Sequence, residues 1–153
     1  MSEPTTFEFA AIEVRTATTP SDTWVRICGI QTTGFNRTKQ TNDRYVRDCQ
    51  APAKTPERKV RVTGKSRTVT GSGLANADQI DLINQLEDGT WQVRYIIMDV
   101  SDPSVEAGTE IGTWEGPGVF TSINMGTSEN DDATIELTLE SDGVWAYTPA
   151  AEV

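Results

Sequence analysis

Helical periodicity occurs in one place in this chain, the stretch Asn76 to Glu87 (NADQIDLINQLE), and that scarcity constrains the rest. Ile80, Ile83 and Leu86, with Leu82 beside them, recur at spacings of three and four and form one apolar stripe. Asn76 sits at the N-cap, Gln79 is placed to reach back as in a capping box, and Asp78 and Asp81 suit the positive end of the helix dipole. Gly89 supplies the left-handed stop. A helix this short is not stable alone in water, so its apolar stripe must lie on a sheet.

Strand-like segments flank it on both sides. Phe7 to Val14 and Thr23 to Ile30 are separated by a turn-rich break, and in the second Trp24, Arg26 and Cys28 alternate with Val25 and Ile27. Arg44 to Cys49 has the composition of a short strand. Arg58 to Thr70 alternates, with Val60 and Val62 on one face and Lys59, Arg61, Thr63, Lys65 and Arg67 on the other; Gly64 marks a bulge. Thr90 to Val100 is the most hydrophobic strand. Thr109 to Met125 reads as two strands hinged at Gly116, Pro117 and Gly118. Ala133 to Glu140 alternates cleanly, and Ser141 to Gly143 forms a hairpin turn into a last strand, Val144 to Thr148. Seven or eight strands and one helix imply a mostly β fold, a β-sandwich or partial barrel with one packed α-helix.

The 153 residues fit a single domain, 1–153. Residues 1–6 read as a flexible N-terminal arm and 149–153 as a loose C-terminal tail. Residues 31–58 are a long polar excursion, too poor in apolar side chains to bury itself, and read as an extended hairpin that orders against a neighbour. The N-terminus lacks a signal-peptide pattern and no segment has the length and apolarity of a membrane span, so a membrane partner is not expected. Two cysteines, Cys28 and Cys49, are too few for a disulfide framework and read as reduced, buried small residues.

The net charge of −10 is unevenly distributed. Residues 37–67 hold ten bases against three acids, whereas 68–153 hold sixteen acids against Arg94 alone. Such a charge dipole suits either nucleic-acid binding by the basic part or a head-to-tail contact between copies; a solvated basic hairpin needs no partner at all. With only Phe35 and Tyr45 as aromatics in the hairpin 31–58, stacking platforms for single-stranded nucleic acid are thin.

Chemistry is sparse. The chain has no histidine, which removes histidine acid–base catalysis and histidine metal ligation. Neither cysteine has C-x-x-C spacing or a histidine to activate it. No phosphate-loop or nucleophile-elbow motif occurs. Glu129, Asp131 and Asp132 form an acidic turn without calcium-loop spacing. No enzyme activity and no cofactor are expected.

Three segments, KVRVTGKSRTVTGSGLANADQIDLINQL (Lys59 to Leu86), GTWEGPGVFTSINM (Gly112 to Met125) and TIELTLESDGVWAY (Thr134 to Tyr147), carry a family resemblance. Together with the order strand, polar hairpin, basic strand, helix, hydrophobic strand and closing hairpin, the chain resembles the major tail tube proteins of long, non-contractile-tailed bacteriophages and gene transfer agents. The resemblance implies a virion protein assembled in the host cytoplasm. It implies hexameric rings stacked into a tube that conducts genomic DNA without specific binding, with strands of neighbouring subunits joined into an inner barrel. The implied partners are further copies of the chain and other tail proteins: tape measure, tail terminator and distal tail. A monomeric β-sandwich binding module, a tail terminator or a contractile-system inner tube are the alternatives.

An acidic protein suits a DNA conduit, because a basic wall would release counterions and make DNA adhere. Glu136, Thr138 and Glu140, on the polar side of the cleanest strand, are the lumen-facing candidates; an outer solvent-facing surface is the alternative. Phe35, Lys39, Arg44, Arg47, Arg58 and Lys59 are candidates for contact between rings, with Asp99, Asp102 and Glu106 as acidic counterparts. Phe35 serves equally as a local packing residue.

Overall fold

A computed structural model describes residues 9–150. Eight strands form one antiparallel sheet: β1 (Phe9–Ala17), β2 (Thr23–Arg26), β3 (Ile30–Val46), β4 (Glu57–Leu74), β5 (Trp91–Asp99), β6 (Thr109–Gly126), β7 (Thr134–Ser141) and β8 (Ala146–Pro149). The order across the sheet is β2-β1-β5-β6-β7-β4-β3, with β8 on β6. The expected arm 1–6 and the last three residues of the expected tail lie outside the described residues.

The sheet folds back on itself without closing. The first half of β6 pairs with β5 (Thr109 to Gly118 against Asp99 to Trp91), and its second half pairs with β7 (Gly118 to Gly126 against Ser141 to Thr134). One 18-residue strand thereby belongs to both layers. The Gly116-Pro117-Gly118 segment is not a break: Pro117 faces Gln92 in the β5 ladder, and the register slips on either side of it, between Glu110 and Gly112 and between Phe120 and Ser122. Between the layers lie Ile12 and Val14 from β1, Val69 from β4, Val93 and Tyr95 from β5, Phe120 from β6, and Ile135, Leu137 and Leu139 from β7.

The helix is shorter than its sequence pattern. A 3-10 turn, Ala77–Gln79, leads into α1 (Ile80–Leu86), which sends Ile83 and Leu86 into the core. Asn76 caps it as expected, its Oδ1 accepting from the Asp78 amide at 3.1 Å. Gln79 does not complete a capping box. It reaches instead to the end of β2, accepting from the Cys28 amide at 2.7 Å and donating to the Arg26 carbonyl at 2.6 Å. Gly89 takes φ +81°, the expected left-handed stop.

Two further expectations are corrected. Ser141 to Gly143 does not turn a hairpin: β7 and β8 run one after the other along the same side of β6, against Gly126 to Gly118 and then Glu115 to Gly112. The chain bows out between them and drops Trp145 into the core at 4% exposure. Its indole N–H donates to the Pro117 carbonyl at 2.8 Å, and its ring lies so close over Gly116 that a Cβ there would be 2.4 Å from it. Burial of one aromatic ring thus overrides the local turn signal. Cys28 and Cys49 are both exposed rather than buried, because one follows the edge strand β2 and the other sits in the β3–β4 connection.

Trp145→Ala should lower unfolding free energy by about 3–5 kcal/mol, read by urea denaturation, with Trp145→Phe losing markedly less. A loss under about 1 kcal/mol would show that the indole does not hold β6, β7 and β8 together.

Candidate assembly surfaces

The polar excursion 31–58 is not a loop. Residues 30–46 and 57–74 pair from Ile30 and Gly73 out to Val46 and Glu57 as a long ribbon, leaving only Arg47 to Pro56 as the connection. The lower part of the ribbon belongs to the sandwich. Beyond Gln40 and Gly64 it stands as an arm of exposed residues, with a register slip between Gln40 and Thr41.

That slip changes which side chains share a face. One extra residue in β4 reverses its parity, so Lys65 and Arg67 share the side of Val60 and Val62, and only Lys59 and Arg61 alternate away from them. The arm therefore has two unlike sides. Arg44, Lys59 and Arg61 share one; Thr41, Tyr45, Val60 and Val62 share the other, where Arg58 is already paired with Asp43 at 2.8 Å. Arg47 donates to the Pro52 carbonyl and shapes the tip.

Phe35 anchors the root of the ribbon inside its own subunit. Its ring stacks on Tyr95 (5.3 Å between centres) and Trp114 (5.2 Å), with Trp145 at 6.1 Å. It packs locally within its own subunit and stays partly exposed.

Glu136, Thr138 and Glu140 share the outward side of β7. The ladders place Ser72, Thr70 and Thr68 of β4 directly beside them, then Thr32, Gly34 and Asn36 of β3, with Ser122 and Asn124 of β6 on the other flank. Thr68 donates to Glu140 at 2.9 Å. Among these described residues there is no Lys or Arg, although β3 and β4 are the basic strands; their cations project from the opposite side or from the arm. Sequence reading found the β7 members and missed the hydroxyl rows, whose signal is the T-x-T-x-S spacing from Thr68 to Ser72.

The outer face of the other layer is different. A ladder of alternating charge crosses four strands: Glu115 to Arg94 at 3.9 Å, Arg94 to Glu13 at 3.9 Å, and Glu13 to Arg26 at 3.2 Å. Arg94 also lies 3.8 Å from the Trp24 ring centre, a cation–π contact. Its charges are internally matched.

Asp99 ends β5, and Asp102 and Glu106 lie exposed in the loop that follows it. Hydrogen bonding by Ser101, hydroxyl first and amide second, holds the Asp99 carboxyl below the usual carboxylate range, and Ser104 does the same for Asp102. The end of the sheet remote from the arm carries the β6–β7 turn with Glu129, Asp131 and Asp132, which do not converge into a metal-binding group among the described residues. No described helix is long and apolar enough to cross a membrane.

The fold has known counterparts. The chain is similar to the tail of an empty gene transfer agent particle solved with C6 symmetry (TM-score 0.64, 22% identity, covering 90% of this chain and 95% of that one). It is similar to a chain of the sheath–tube complex of an extracellular contractile injection system, PVC, in its extended state (TM-score 0.61, 15% identity, 96% and 93% covered). The SPP1 tail tube also matches (TM-score 0.59, 10% identity, 97% and 81% covered). No curated protein matches by sequence. The family described as phage tail tube protein matches residues 9–147, nearly the whole described chain, and this protein belongs to that family.

Proposed function

We propose that six copies of this chain form a ring, that rings stack head to tail into a virion tail tube, and that double-stranded DNA passes through its bore from capsid to host. The observation that carries this reading is the outward face of β3, β4, β7 and the second half of β6, built of hydroxyls, amides and two glutamates without a cation. A wall of that chemistry repels phosphates rather than exchanging their counterions, so DNA slides.

The topology supports ring closure. Among the described residues, the outer edge of β3 pairs with no strand, and neither does the second half of β6 on the side away from β7. Long free edges are liabilities that a closed assembly removes. Across the four strands direction alternates from β6 to β3. Placing β3 of one copy beside β6 of the next continues the antiparallel alternation. Six copies of four strands at ~4.8 Å spacing give a wall roughly 115 Å around and about 37 Å across, room for a duplex. The C6 symmetry of the gene transfer agent tail favours the same copy number. The arm, with Arg44, Lys59 and Arg61 on one side, extends past the sandwich and is the element placed to reach a neighbouring ring. Tape measure, terminator and distal tail proteins would cap and fill such a tube. The reading assigns no catalysis and no cofactor.

Two experiments test it. Purified protein at high concentration should form rings or hollow tubes by negative-stain electron microscopy, and Arg44→Glu with Arg47→Glu should abolish the tubes while leaving the circular dichroism spectrum intact. Intact tubes from that variant would remove the arm from ring stacking, and a stable monomer at every concentration would favour a binding module. Glu136→Lys with Glu140→Lys should give tubes that co-sediment with duplex DNA at low salt and release it as salt rises, while wild-type tubes stay free of DNA. Equal DNA retention by both would move the bore to another face.

A further inference from the structure

At the root of the arm, the inner side of the ribbon carries four cations in a square. Arg37 lies directly opposite Arg67, and Lys39 directly opposite Lys65. Like charges in such cross-strand positions destabilise a ribbon unless an anion lies between them. None of the four pairs with a described carboxylate, although Arg15, Arg26, Arg58 and Arg94 all do. Both arginines lean on the Trp114 ring, each with its guanidinium carbon 5.4 Å from the ring centre. The Arg67 Nε is buried and has no hydrogen-bond partner among the described residues. These residues line an open cleft of about 660 Å³.

The far end of the same sheet offers the complement. Ser128 to Asp132 is an exposed turn, kept tight by the Asp131 amide donating to the Ser128 carbonyl at 3.2 Å and by Asn130 at φ +70°. It holds three acids, Glu129, Asp131 and Asp132, and no base. The register puts the turn at the end of β6 and β7 remote from the arm.

We propose that the cleft formed by Arg37, Lys39, Lys65 and Arg67 receives the acidic turn Ser128 to Asp132 of a second copy in the adjoining ring. This rests on the stacked-ring reading and names the partner of the arm's root. Three carboxylates among four cations relieve the cross-strand repulsion, so the contact is electrostatic and salt-sensitive. The pairing is heterologous, since the two surfaces lie at opposite poles of one subunit, and it therefore propagates along an axis.

Charge exchange tests it. Lys39→Glu with Lys65→Glu avoids the arginines that pack on Trp114, and Asp131→Lys with Asp132→Lys changes only the exposed turn. Each pair alone should raise the protein concentration needed for tube formation at least about tenfold, by sedimentation and electron microscopy, with thermal unfolding of the subunit unchanged. All four substitutions in one chain should restore assembly to near the wild-type concentration. Wild-type tubes accompanied by variants that polymerise equally well, or a combined variant that is no better than its parents, overturn the pairing and leave the tube reading intact. Rescue of the lysine variant by Glu152→Lys instead would assign the cleft to the chain's own terminus and overturn the proposal. A wild-type protein that never assembles overturns the stacked-ring reading and the pairing with it.

Discussion

The contact on which the rest of the molecule depends is the aromatic stack of Phe35, Tyr95 and Trp114, with Trp145 beside it. Phe35 comes from the ribbon, Tyr95 and Trp114 from the facing layer, and Trp145 from the bow between β7 and β8. The stack joins the two layers at the level where the sandwich ends and the arm begins. Rings at these separations contribute about 0.5–1.5 kcal/mol per pair beyond their buried area. That rigidity lets a two-stranded arm, marginal as an isolated hairpin, hold a fixed direction. Trp114 carries load on two sides, since Tyr147 packs on it at 5.3 Å while Arg37 and Arg67 approach within 5.4 Å of its centre.

Much of this was legible in the chain. The alternation in β7, the hydrophobic β5 and the Asn76 cap reflect local rules that tertiary structure leaves alone. What the sequence concealed follows from non-local effects. Gly116, Pro117 and Gly118 look like a hinge, yet the two layers need one strand to pass between them, and the glycine beside Trp145 is there for the ring above it. The Ser141-Asp142-Gly143 segment has turn chemistry, yet the pull of Trp145 into the core keeps the chain moving in its original direction. Gln79 looked like half of a capping box, but its amide is used to pin the Arg26 to Cys28 corner.

The candidate surfaces were legible by type more than by place. The lumen-facing choice of Glu136, Thr138 and Glu140 and the basic character of 37–67 came from composition and parity along single strands. Which rows lie side by side is a matter of register between strands far apart in the chain, and no single strand encodes it. The bulge at Gln40 and Gly64 is the clearest case, because one extra residue decides whether Val60 and Val62 or Lys59 and Arg61 share the side of Lys65 and Arg67.

That bulge has a consequence for fidelity. Side chains in a ribbon change sides with every residue, so a slip of one position between β3 and β4 exchanges faces wholesale. In the observed register Thr68, Thr70 and Ser72 sit outward and Val69 is buried. A slipped register would bury hydroxyls and bring arginine and lysine to a surface that now holds none. Core packing at Val69 and Phe35 fixes that register within the subunit itself, without help from any other chain.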